Sequence, residues 1–153
     1  MEFKITSPAF SHGSLIPSRY TCDGDNINPH LVIHGVPAGA KTLVLIVDDP
    51  DAPGRVWVHW LVWDIPAETT EIREGTVPFK GREGTNSWGN IGYGGPCPPS
   101  GTHRYFFRLY ALDLFLKLDE GALREELEDA MQGHILATAE LVGTYTDTTA
   151  APM

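Results

Sequence analysis

Three groups of residues in this chain have types and spacings suited to chemistry. The first is DDPDAP, Asp48–Pro53, which closes the apolar run LVLIV. Pro50 and Pro53 fix their own φ angles and bias the residues before them towards extended geometry. Asp and Pro are ordinary turn residues, which accounts for one carboxylate. Three carboxylates in four residues repel one another unless something positive lies nearby. The second is His59, set in the strand-like run RVWVHWLVWDI. Taken alone it reads equally well as a core histidine with satisfied ring nitrogens or as a ligand-binding group. Other polar residues converging on it would decide between the two. The third is YGGPCPPSGTHRYFFRLYALD, Tyr93–Asp113, which turns from glycine and proline to an apolar strand at His103 and Arg104. Gly94 and Gly95 permit close backbone approach or positive φ and could leave amides free to meet a ligand. Pro96, Pro98 and Pro99 stiffen the loop and reduce the entropy lost on binding.

Other familiar chemistries lack their signatures. The chain has no GxxxxGK[ST], no dinucleotide fingerprint after a strand, no GxSxG elbow, and no CxxC or HExxH spacing. His30 and His34 share a face in either a helix or a strand, but no third ligand stands near them, so they read as exposed strand histidines. Asp49, His59 and His103 match a two-His-one-carboxylate metal set in composition only, without its close spacing. Cys97 is the one suggestive nucleophile in the loop, and it has no assured base.

The elements that must position these groups are mostly strands. HLVIHGV (His30–Val36) and TLVLIVDD (Thr42–Asp49) flank the turn signal PAGA. In Arg55–Ile65 strict alternation points Trp57, His59, Leu61 and Trp63 one way and Val56, Val58, Trp60 and Val62 the other. Both faces are apolar, so this strand is covered on both sides. His103–Asp113 is similar, with His103 and Tyr105 on one face and Arg104 on the other; His134–Thr146 ends in β-formers. One helix is expected over Asp119–Gly133, where Leu123, Leu127, Ala130 and Met131 fall at three- and four-residue spacings. Strands without intervening helices imply a mainly β fold, an antiparallel β-sandwich with one or two peripheral helices. The 153 residues read as a single domain.

A net charge of -9 repels nucleic acid and anionic lipid, so neither nucleic-acid binding nor membrane insertion is expected. Any anion must be held in a local pocket against the field of the whole protein. The start MEFKITSPAF has no apolar signal region, and the longest apolar runs are too short to span a bilayer, so a cytoplasmic protein is expected. Cys22 and Cys97 are expected as two reduced thiols, with a bridge between them as the alternative.

In combination, DDPDAP, then WVHWLVWDIP, then YGGPCPPSGTHRYFFRLYALD resemble the phosphatidylethanolamine-binding protein family. LIPSRYTCDGDNINPHL upstream and MQGHILATAELVGTY downstream are similar to its bacterial and archaeal, Raf kinase inhibitor-like branch. The likeness spans nearly the whole chain. It implies paired antiparallel sheets with peripheral helices and a small anion pocket for phosphate-like groups that requires no metal or other cofactor. The pocket positions fall on Asp49, Asp51 and Pro53, on His59, on Gly95 and Pro96, and on His103 and Tyr105. Eukaryotic members continue into a C-terminal helix bordering the pocket, whereas this sequence ends at TYTDTTAAPM, so a more open pocket is expected.

The function these readings support is a non-enzymatic binding protein for phosphate or a phosphorylated small molecule. A kinase or protease would be its possible protein partner, and a homodimer its expected assembly. A protease inhibitor acting through a surface loop is the alternative, with a small hydrolase behind it. Arg104 is expected to brace the sheet through a carboxylate of the DPD turn, and protonated imidazole would make anion affinity weaken as pH rises through about 6.5.

Overall fold

The computed structural model describes residues 2–147. Its strands are β1 (Lys4–Thr6), β2 (Leu31–His34), β3 (Thr42–Asp49), β4 (Trp57–Pro66), β5 (Glu71–Ile72), β6 (Arg82–Glu83), β7 (Thr102–Leu112) and β8 (Ile135–Thr146); α1 spans Arg124–Met131. All strand pairs are antiparallel, in a three-stranded sheet ordered β1-β2-β5 and a five-stranded sheet ordered β6-β4-β3-β7-β8.

The unbroken apolar run of β3 makes it the centre of the larger sheet, and all eight of its residues are buried. Its alternation divides two cores. Leu43, Leu45 and Val47 face the smaller sheet and pack with Ile5, Leu31, Ile33 and Ile72. Val44 and Ile46 face the other way, against Leu127 and Met131 of α1. The sandwich expected from the sequence is therefore present, with one helix covering the outer face of the larger sheet.

Three local expectations change. The helix is shorter than Asp119–Gly133, because Gly121 donates its amide to Glu83 and Ala122 accepts from the Thr85 amide. Those bonds tie residues 121–122 to the sheet edge, and Gly121 takes φ 92°. α1 instead opens after Leu123, whose amide donates to Glu126 Oε1 at 3.0 Å. The strict alternation of β4 is also broken. Val47 pairs with Trp60 but Asp48 with Val58, so His59 is the extra residue of a β-bulge. Val58 consequently joins Leu61 and Trp63 in the helix-side core, while Trp60 and Val62 face the other sheet. Finally, the two cysteines are bonded, Cys22 to Cys97, with Cα atoms 5.5 Å apart. The sequence separation of 75 residues hides a proximity created by tertiary structure, where the Cys22 amide donates to the Pro96 carbonyl. Among the described residues, no helix is long and apolar enough to cross a membrane. The TTAAPM ending beyond Asp147, and with it the expectation of a more open pocket, lies outside the described residues.

Candidate functional site

The bulge in β4 is the local event that builds the site. Bulges re-aim a side chain out of strict alternation, and this one puts His59 against Tyr105, which belongs to the inter-sheet core. The His59 ring meets Tyr105 edge-on at 5.1 Å and Trp88 edge-on at 5.0 Å. Its Nδ1–H donates to the Gly94 carbonyl at 2.7 Å, while the Gly94 amide donates back to the His59 carbonyl at 2.9 Å. The glycine-rich loop is thereby clasped to β4 at one residue.

That loop is glycine for reasons of space. A Cβ on Gly94 would collide with the Trp88 ring, and one on Gly95 with the Tyr20 carbonyl and the Asn26 side chain. The amides are not left free for a ligand: Gly95 N–H donates to Asn26 Oδ1 at 2.8 Å. With the disulfide and the Tyr93 hydroxyl, which donates to the Tyr20 carbonyl at 2.7 Å, they fasten the loop to residues 20–26.

The end of β3 supplies the carboxylates. Asp49, 3% exposed, accepts from His103 Nδ1–H through Oδ2 at 2.6 Å and from the Asp51 amide through Oδ1 at 2.8 Å. His103 and Tyr105 lie on one face of β7, as alternation requires, with their rings stacked at 6.5 Å. Asp51 turns outward. Its carboxylate accepts from the Arg104 amide, Nε and a terminal guanidinium N–H, each at 2.9 Å. Those bonds hold the Asp51 pKa down to about 2, and they show Arg104 bracing the DPD turn.

These residues surround a cavity of about 270 Å³ lined by Asp49, Ala52, Pro53, Trp57, His59, Trp88, Cys97, Pro98, Pro99 and Tyr105. That is just below the usual size range of small-molecule pockets. Tyr105, 1% exposed, has an Oη with no hydrogen-bond partner of good geometry. Burial, then the charges of Asp49 and Asp51, push its phenol pKa far up, so it stays a proton donor; the Cys97 amide pulls weakly the other way. Burial also pushes the His59 pKa down, against opposing pulls from the Gly94 carbonyl and Asp49, so a resident imidazolium charge is disfavoured.

Of the residues singled out in the sequence, Asp49, Pro53, His59 and Tyr105 line this cavity, and His103 stands behind Asp49. Asp51 is engaged by Arg104, Pro96 gives its carbonyl to Cys22, and Gly95 lines a neighbouring cavity with Asn26, Asn86 and Asn90. Cys97, considered as a nucleophile, is held in the disulfide. Among the described residues, no group of three or more His, Cys, Asp or Glu side chains is arranged to hold a metal ion. Sequence reasoning missed Trp88 and Trp57, the aromatic walls. A tryptophan between polar loop residues in NSWGN is the signal that marks the first.

A sequence profile described as Phosphatidylethanolamine-binding protein matches residues 6–146. The UPF0098 protein of Methanothermobacter thermautotrophicus is 54% identical over 147 residues, covering 92% of this chain and 97% of that protein. A protein of Chlamydia trachomatis, whose crystal structure is titled a putative phosphatidylethanolamine-binding protein homolog, superposes with a TM-score of 0.91 at 47% identity, covering 95% of this chain and 97% of that one. Escherichia coli YbcL, titled a new member of the mammalian PEBP family, gives 0.89 at 32% identity, covering 95% and 99%.

Proposed function

This chain belongs to the phosphatidylethanolamine-binding protein family, and from that premise we propose that it is a binding protein whose β4–β7 cavity takes a phosphate-like or phosphorylated small molecule. The observation that carries the reading is Tyr105, which lines this small cavity and whose buried hydroxyl has no well-aligned partner. A buried polar group left unmade costs about 1–3 kcal/mol, and a ligand oxygen recovers that cost. The rest of the site supports binding in preference to turnover. Asp49 has a hydrogen bond on each oxygen, His59 is fixed by Gly94, and the one thiol in the loop is bonded to another.

An amide NMR titration with inorganic phosphate and with phosphoethanolamine, in chelator at about pH 6, tests this reading. Saturable shifts confined to residues 49–53, His59 and 94–105 are expected. Saturation without shifts there, or no saturation at all, removes the cavity from the account.

A further inference from the structure

The wall of the cavity carries a reducible bond in an accessible place. Cys97 lines the cavity, Cys22 lies on the body segment it is bonded to, and both residues are exposed to solvent. The loop that holds Cys97 is fastened unevenly. Its first half has a tie at every residue: the Tyr93 hydroxyl donates to the Tyr20 carbonyl, Gly94 is clasped to His59, the Gly95 amide donates to Asn26, and the Pro96 carbonyl accepts from the Cys22 amide. Past Pro96 these ties stop. Among the described residues, no well-aligned hydrogen bond holds residues 97–100 to the body of the protein, and the Cys97 amide only approaches the Tyr105 hydroxyl in poor geometry. The next backbone tie is at Gly101, whose carbonyl accepts from the Asp147 amide just before β7 begins. Between Pro96 and Gly101, the cavity wall of Cys97, Pro98 and Pro99 is held by the disulfide and by the burial of Pro98.

We infer that the Cys22–Cys97 disulfide is a redox switch on this wall: a dithiol reductant releases residues 97–100 and lowers the cavity's affinity for its ligand, and reoxidation restores both. The step is thiol–disulfide exchange. A reductant thiolate attacks an exposed cysteine sulfur, which breaks the protein's S–S bond and forms a mixed disulfide; the reductant's second thiol then displaces it. Two electrons and two protons pass to the protein, which ends with two thiols, and the reductant ends as a cyclic disulfide. The ties from Tyr93 to Pro96 use neither sulfur, so they persist and keep the released segment short. A wall that must be ordered again on binding costs affinity. The control of affinity rests on the cavity being the anion site proposed above; the release of the wall does not.

The test follows wild-type protein oxidised, reduced with dithiothreitol and reoxidised, by backbone amide NMR relaxation and by calorimetric titration with inorganic phosphate. On reduction the amides of Cys97, Ser100 and Gly101 are expected to become mobile on the nanosecond scale, while those of Gly94, Gly95 and the strands stay rigid. Phosphate affinity should fall roughly three- to tenfold and return on reoxidation. The double variant Cys22→Ala, Cys97→Ala should behave as the reduced form under either condition; the cycle on wild type decides the matter even where that variant does not fold. A bond that dithiothreitol does not open in the native protein, or a wall that stays rigid once it is opened, overturns the inference. So does loss of the dispersed signals of β3 and β7 on reduction, which makes the disulfide a fastening of the whole fold. A mobile wall with unchanged phosphate affinity overturns the control of binding and leaves the anion site standing. Phosphate binding to neither form overturns the anion reading and that control together.

Discussion

Asp48 and Asp49 are neighbours in β3, 1% and 3% exposed, and alternation sends them to opposite faces of the same sheet. Asp48 faces α1, where Arg108 Nε at 3.1 Å and Arg124 at 2.8 Å meet its carboxylate. Those arginines are themselves held by Glu140 and Glu128, so the cluster ties strands β7 and β8 and the helix together. Asp49 faces the other sheet, where a histidine and a backbone amide meet it beside a cavity. The same residue type, similarly buried, is in one case enclosed by its own protein's charges and in the other left next to space. A buried carboxylate closed by two guanidinium groups is a fastening; one supported by an imidazole and an amide beside a cavity belongs to the site proposed above.

Neutralising the two aspartates breaks that comparison most sharply. Asp48→Asn leaves two guanidinium groups around a lost charge and is expected to cost about 3 kcal/mol, the scale for removing one partner of a buried pair. Anion affinity should stay at the wild-type value. Asp49→Asn keeps an acceptor for His103 and should cost only about 1–2 kcal/mol, while anion affinity rises severalfold as a like charge leaves the cavity lining. Denaturant unfolding and phosphate titration on both variants check the pattern. Equal losses of stability, or a loss of affinity in Asp48→Asn, would erase the distinction between fastening and site.

The two faces also differ in how far the sequence revealed them. Strand identity, the sandwich and the facing of His103 and Tyr105 were legible, because period-two alternation and β-branched runs are local properties. The bulge was not. It depends on how Val47 and Asp48 pair across β3, and without it His59 is assigned to the face of Leu61 and Trp63. The disulfide and the Trp88 wall were hidden for the same reason, since each joins segments distant in sequence. Gly94 and Gly95 were correctly marked as special, but close packing explains them, while their amides are spent inside the protein.

Acidification sharpens the comparison through His59. Burial lowers its pKa in the folded state, so below the unfolded value of about 6.5 the unfolded chain binds more protons than the folded one. The contribution from its neutral form is fully present above about pH 6.5 and is lost as pH falls through the depressed folded pKa. Five other histidines titrate as well, so the informative quantity is the difference between wild type and His59→Gln. The variant's stability should fall less steeply from about pH 6.5 downwards. Identical slopes would mean that folding does not shift this histidine.

The smallest effect concerns the outward carboxylate, Asp51. Its pair with Arg104 is geometrically good, but the two side chains are 55% and 28% exposed, so Arg104→Ala should cost little stability. The pKa is the more sensitive readout. Arg104 holds Asp51 down to about 2, and the stability this contributes is present above the ordinary value of about 3.9 and lost as pH falls towards 2. In Arg104→Ala the Asp51 carboxyl should titrate higher by carbon-detected NMR. It should still fall short of the ordinary value, because the residue-104 amide keeps donating to Oδ2. Anion affinity should be unchanged, since Asp51 and Arg104 stand outside the cavity lining. A loss of affinity there would move the DPD turn's second carboxylate from the sheet's bracing into the site.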